Sequence, residues 1–289
     1  MLSLHTNNAA LSAQNSISKT QSSLNTSMTR LSTGYRINSA MDDAAGLQIA
    51  SRLKAQTSGM AVAMRNTQNA TAMLSTAEGA LDEVSNMLVR MKDLATQAAD
   101  GSSTTDDRTA MQSEYDALGK ELRNVLQNTT FGGKTLLTGK STDGTLTAKM
   151  TFQIGASSTE TMDVDLSSAM STVVSNVSTA TANYSSAAGT VGTELSSAAT
   201  TAIGNLETAL NSVNTLRSGL GAAANRLEHV YSNLSNISTN TKAASGLLMD
   251  VDFASESANM TSNQMLLQAG TAMLKQSNSM SSMVMSLLQ

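Results

Sequence analysis

A step of seven residues between apolar side chains recurs in three separate stretches of this 289-residue chain, and it constrains the fold more than any other feature. Leu53, Met60, Leu74, Leu81 and Leu88 share one series, broken only at Thr67, with Val84, Met87, Met91 and Leu94 in neighbouring rows. Leu206, Val213, Leu220, Leu227 and Leu234 keep the step unbroken, beside Leu216, Ala223, Val230 and Ile237. Further on, Phe253, Met260, Leu267 and Leu274 repeat it, flanked by Leu266, Met273, Met280 and Leu287. A shorter version, Ile17, Leu24 and Leu31, stands near the start. Sustained heptads put apolar groups along one stripe of a helix, and such a stripe is buried against another helix. The fold expected is mainly α: an elongated antiparallel hairpin of long, coiled-coil-like helices. At 1.5 Å per residue a helix from about 43 to 98 runs roughly 85 Å, more than a compact domain needs.

Composition agrees with narrow helical seams. Aromatic residues make up 2% of the chain, there is no Trp, and the apolar content is Ala, Leu, Val, Ile and 19 Met. Aromatic rings bury large areas in compact cores, whereas Leu, Met and Ala fill a thin interface between helices. There is no Pro, the residue that most disrupts a helix interior. Met87 and Met91 read as ordinary core, and Met273, Met280, Met283 and Met285 as an adaptable contact surface.

Local signals divide the chain. Gly34 ends the first helix, and Asn38-Ser39 with Asp42 and Asp43 supplies caps and first-turn acids for the second. Thr104 followed by Asp107 reads as a capping box opening a helix over about 105–129, and Phe131-Gly132-Gly133 stops it. Two alternating runs within 144–166, around Gly155-Ala156-Ser157-Ser158, predict a β-hairpin. Residues 167–202 are mostly Ser, Thr, Ala and Gly and read as an exposed variable segment, loop or weak helix. The division expected is 1–42, an N-terminal helix and connector; 43–166, helices and hairpin; 167–202, the exposed segment; 203–246, a long helix; and 247–289, a terminal helix capped at Asp252.

Several chemistries are set aside. With no Cys there is no disulfide, thiolate ligand or cysteine nucleophile. His5 and His229 stand far apart, without a partner at metal-binding spacing. Asp250-Val-Asp-Phe-Ala-Ser-Glu256 lacks the glycine and spacing of a calcium loop and reads as helix-start acids. Gly133-Lys134-Thr135 lacks the earlier glycine of a phosphate loop, because position 128 is Asn. No catalytic residue, cofactor or metal is expected. A net charge of −4 gives no footprint for nucleic acid, and no apolar run reaches the ~18 residues of a membrane span. The opening MLSLHTNNAA has neither the basic region nor the apolar core of a secretory signal, so an exported chain of this kind is expected to need no cleaved leader.

Particular runs carry a family resemblance. Leu31-Ser-Thr-Gly-Tyr-Arg-Ile-Asn-Ser-Ala40 precedes Asp42-Asp-Ala-Ala-Gly46; later come Leu220-Gly-Ala-Ala-Ala-Asn-Arg-Leu227, Asp252-Phe-Ala-Ser-Glu256 and Gln264-Met-Leu-Leu-Gln-Ala-Gly270. With Phe152-Gln-Ile-Gly-Ala and Met162-Asp-Val-Asp-Leu166, they make the chain resemble bacterial flagellin over 1–166 and 200–289. The resemblance implies a secreted, extracellular subunit of a helical filament of identical chains, short in its middle and without large outer domains. It implies terminal helices paired in the filament core through Ile17, Leu24, Leu31, Phe253, Met260, Leu267, Leu274, Met280 and Leu287. Implied partners are an export chaperone over the last forty or so residues, a filament cap and hook-junction proteins. Val89-Arg-Met-Lys-Asp-Leu-Ala95 is similar to the flagellin segment read by a vertebrate innate receptor, with Arg90, Leu94 and Glu114 at the matching positions. The alternative within the same resemblance is a hook–filament junction protein.

Overall fold

The two longest heptad stretches fold as two long helices, α2 (Ala44–Ala99) and α6 (Glu194–Met249). The structure, a computed structural model, describes residues 7–138, 144–185 and 192–287. Its contacts divide the chain into residues 58–238 and a second unit of 1–57 with 239–289. Both long helices continue through the borders between these units.

Within 58–238, α2 and α6 run antiparallel. Lys92 meets Glu207 at 2.8 Å, Arg217 meets Asp82 at 2.9 Å, and Met60 and Ala63 pack on Leu234. Leu74, Leu81 and Leu88 on α2 share one core with Leu206, Val213 and Leu220 on α6. Thr67, the polar break in the first series, is buried too: its hydroxyl donates to the Ala63 carbonyl at 2.8 Å. With its one hydrogen bond made inside its own helix, Thr67 enters the seam without an orphaned polar group.

Helix α3 (Thr105–Asn128) adds Leu122 and Leu126 to this core. Its capping box forms as read, with the Thr104 hydroxyl accepting from the Asp107 N–H and the Asp107 carboxylate accepting from the Thr104 N–H. The Thr104 hydroxyl and N–H hold the Asp107 carboxyl below the usual carboxylate range. Thr104→Ala is expected to lower stability by about 1 kcal/mol, read as a lower urea midpoint at unchanged slope.

A short ribbon follows, β1 (Thr130–Phe131) with β2 (Lys134–Thr135), turned by Gly132 and Gly133 at φ 58° and 83°. Positive φ at both central positions suits glycine. The expected hairpin is β3 (Met150–Gln153) against β4 (Thr161–Val164), antiparallel, with Phe152 opposite Met162. It is shorter than the alternating runs. Thr145–Thr147 form a turn of 3-10 helix instead, and the hydroxyls of Thr145 and Thr147 donate to the Thr135 and Gly144 carbonyls. Such local side-chain bonds compete with strand pairing.

The segment read as exposed, 167–202, is corrected by the structure. Ser167–Ala180 form α4, and Met170, Val173, Val177 and Ala180 lie within the main core at 1% exposure or less. Helix α5 (Ala182–Ser185) follows, and α6 begins at Glu194, with a departure from helical geometry at Ala198. Four apolar residues at helical spacing suffice for a buried stripe, even when Ser and Thr fill the other faces.

Polar bonds fasten this region to α3. The Asp116 carboxylate accepts from Gln112, from the Asn183 amide and from the Gly192 N–H, each within 3.0 Å. Gln112 also donates to Glu194 and accepts from the Leu195 N–H. The Tyr115 hydroxyl donates to the Ala180 carbonyl at 2.6 Å. Burial, reinforced by the Glu194 and Asp116 charges, pushes that phenol well above its ordinary pKa, so it stays a donor.

Candidate assembly surface

The first and last described helices, α1 (Asn8–Thr33) and α7 (Phe253–Leu287), pack against each other antiparallel. The Asn7 side chain caps α1 by accepting from the Ala10 N–H, and it also donates to Ser277 on α7. At the other end of the pair, the Arg30 guanidinium stands 3.8 Å from the Glu256 carboxylate. Arg30 lies in the last turn of α1 and Glu256 in the first turn of α7, so each charge also complements its own helix dipole.

Between these ends, the less exposed positions of α1 include Ala13, Ile17, Thr20, Leu24, Ser27 and Leu31. On α7 they are Met260, Asn263, Leu267, Gly270, Leu274 and Ser277. Spacings of three and four place each set on one face, with large apolar residues alternating with small or polar ones. The small layers let the backbones approach: a Cβ on Gly270 would stand 2.9 Å from Ile17 Cγ1.

The connectors at the Arg30 end are also tied together. Gly34, at φ 73°, ends α1, and its N–H donates to the Arg30 carbonyl. Tyr35 and Asp250 form a single antiparallel bridge, flanked by Arg36 N–H to the Met249 carbonyl and Val251 N–H to the Gly34 carbonyl. The Asp42 carboxylate accepts from the Asn38 and Ser39 N–H groups, which hold its pKa below the usual range. Asp43 accepts from the Gly46 N–H, and a Cβ at Gly46 would overlap both the Asp43 carboxylate and Ile37. These contacts account for the Asp-Asp-Ala-Ala-Gly run. Asp252 caps α7, accepting from the Ala254 N–H and the Ser255 hydroxyl.

Six of the nine residues expected to pack in an assembly thus lie in the α1–α7 seam: Ile17, Leu24, Leu31, Met260, Leu267 and Leu274. Phe253 and Met280 are more than half exposed, off the seam, and the Leu287 side chain lies outside the described residues. Met265, Leu266 and Met273 are likewise more than half exposed, as are Leu11 and Met28 on α1. Periodicity finds the apolar rows but does not distinguish a row covered within the chain from one left open.

The receptor-like residues separate as well. Arg90 and Glu114 pair on the surface, Nη2 to Oε1 at 2.6 Å, while Leu94 is 3% exposed within the core. Leu94 therefore presents no surface in the single chain, as its place beside Met87 in the heptad rows already suggests.

Long helices packed in seams, with the two ends of the chain paired, define a coiled-coil structural subunit. Residues 4–142 match the bacterial flagellin N-terminal helical region and residues 203–288 the bacterial flagellin C-terminal helical region. A flagellin of Halalkalibacterium halodurans is 37% identical over 91% of this chain and 90% of its own length. Polar flagellin F of Vibrio parahaemolyticus is 47% identical over 58% of this chain and 43% of its own length. The chain belongs to the bacterial flagellin family, and it is a structural subunit of the flagellar filament. A solved structure described as a candidate flagellar hook-associated protein from Vibrio parahaemolyticus shares the fold, with a TM-score of 0.55 at 18% identity over 72% of this chain and 99% of that one.

Proposed function

We propose that α1 and α7 form the inner wall of an extracellular filament of identical chains. The observation carrying this reading is the set of apolar side chains left open on the paired ends, among them Leu11, Met28, Leu266 and Met273. An apolar flank of that kind marks an interaction surface, and identical neighbours supply a matching one. Ile17, Leu24, Leu31, Met260, Leu267 and Leu274 hold the pair together, while Phe253 and Met280 contact neighbouring copies. Before assembly an export chaperone covers the open flank of α7; in the filament the cap and the hook-junction proteins meet the same ends. The subunit works by packing alone, with no catalysis, cofactor or metal.

The innate receptor, on this reading, docks on the exposed Arg90–Glu114 pair, and Leu94 contributes by supporting the helix beneath it. Seeded growth tests the central reading. Intact protein lengthens filament seeds in negative-stain images, and a chain lacking residues 253–287 does not; equal growth of both would refute it.

A further inference from the structure

The described methionines range from fully buried to open. Within 58–238, Met60, Met91 and Met170 are 2%, 0% and 0% exposed. On α7, Met265, Met273 and Met280 are 61%, 66% and 58% exposed, alongside Leu266 in the same flank. Met273 and Met280 follow Leu266 at the seven-residue step beside the seam, and Met265 stands one position before Leu266, so three thioethers lie on the open side of α7. Nothing in the single chain requires sulfur there, since Leu266 occupies the same flank.

We propose that Met265, Met273 and Met280 form an oxidation site that switches self-assembly off; this rests on the reading that neighbouring copies cover the flank of α7. The oxidant is a two-electron peroxide. The sulfur lone pair attacks one oxygen of hydrogen peroxide, an S–O bond forms as the O–O bond breaks, and the departing hydroxide takes the proton of the new S–OH group, leaving sulfoxide and water. The sulfur is oxidised by two electrons, the peroxide is reduced, and the charge of the side chain does not change. The product is a polar acceptor in place of an apolar group, reversible by methionine sulfoxide reductases.

The effect is asymmetric between free and assembled chains. In the free chain each sulfoxide faces water, which satisfies its oxygen. In the filament the same oxygen is buried and needs a donor that a flank of Leu and Met does not supply. Oxidised chains are therefore rejected by a growing end, while chains already incorporated are shielded.

The test uses full-length monomer and hydrogen peroxide. Peptide mass spectrometry should find sulfoxide at 265, 273 and 280 well before 60, 91 and 170. Seeded elongation should slow about tenfold or more with an unchanged circular-dichroism spectrum, and sulfoxide reductases should restore it. The triple variant Met265→Leu, Met273→Leu, Met280→Leu conserves volume and should elongate equally before and after peroxide. Met41, exposed and outside both terminal helices, remains in that variant as a control for oxidation elsewhere.

Equal slowing of the triple variant and the native chain would overturn the proposal, as would full-rate elongation of native chain carrying all three sulfoxides. If the triple variant fails to grow untreated, repair decides: oxidised native chain that stays slow after the sulfoxides at 265, 273 and 280 have been reduced overturns it. Failure of untreated native chain to grow would instead overturn the assembly reading beneath it.

Discussion

Leu267→Lys leaves a folded chain that adds to no filament. In the free molecule Leu267 is half-buried against α1, and a lysine there can carry its ammonium along the seam into water. The helical signal and melting of residues 58–238 should stay as in the native protein, because Leu267 belongs to the other unit. Assembly removes the route to water. An unpaired charge enclosed by neighbouring helices costs about 3 kcal/mol or more, which is a factor of more than about a hundred in the equilibrium for adding each subunit. Light scattering after seeding reads the result, and Leu274→Lys should behave alike. Elongation of either variant at the native rate would show that the seam is not closed on assembly.

Val177→Asp acts on the other unit and should be the most destabilising single change considered. Val177 is fully buried in α4 within the main core. A carboxylate there has no paired cation, so the expected loss is about 3–5 kcal/mol, a large share of the roughly 5–15 kcal/mol that holds a domain together. A thermal melt by circular dichroism should show a much lower midpoint, and removing residues 170–180 should do the same or worse. A native-like melt for Val177→Asp would return α4 to the status of a surface segment.

That second result bears on how the fold is written in the chain. Heptads locate α2, α6 and the terminal helices because long stripes accumulate signal over many turns, and Gly34, Thr104 with Asp107, and Asp252 mark ends through local hydrogen bonds. Helix α4 escapes the same reading. Its four buried residues span only three turns, and their Ser- and Thr-rich surroundings resemble a solvated segment. The polar fastening is less visible still, since Gln112 and Asp116 meet Asn183 and Glu194 only after the chain has folded back. Likewise the open flank of α7 is a property of what covers each row, which spacing alone does not encode. The family runs named the assembly; the geometry separates the side chains that hold the terminal pair from those it leaves open.

The alternation of large and small layers between α1 and α7 raises a problem of alignment. Sliding one helix by a full heptad would again set large positions of one helix against small positions of the other, so apolar burial barely discriminates the shifted pairing. The small positions on α7 are Asn263, Gly270 and Ser277, and only the middle one lacks a side chain. Ile17 lies where even a Cβ would crowd it, so a slip that brings Asn263 or Ser277 to that place meets a collision, and it also parts Arg30 from Glu256. Gly270 thus acts as a keyway: one absent side chain fixes the axial position of the terminal pair.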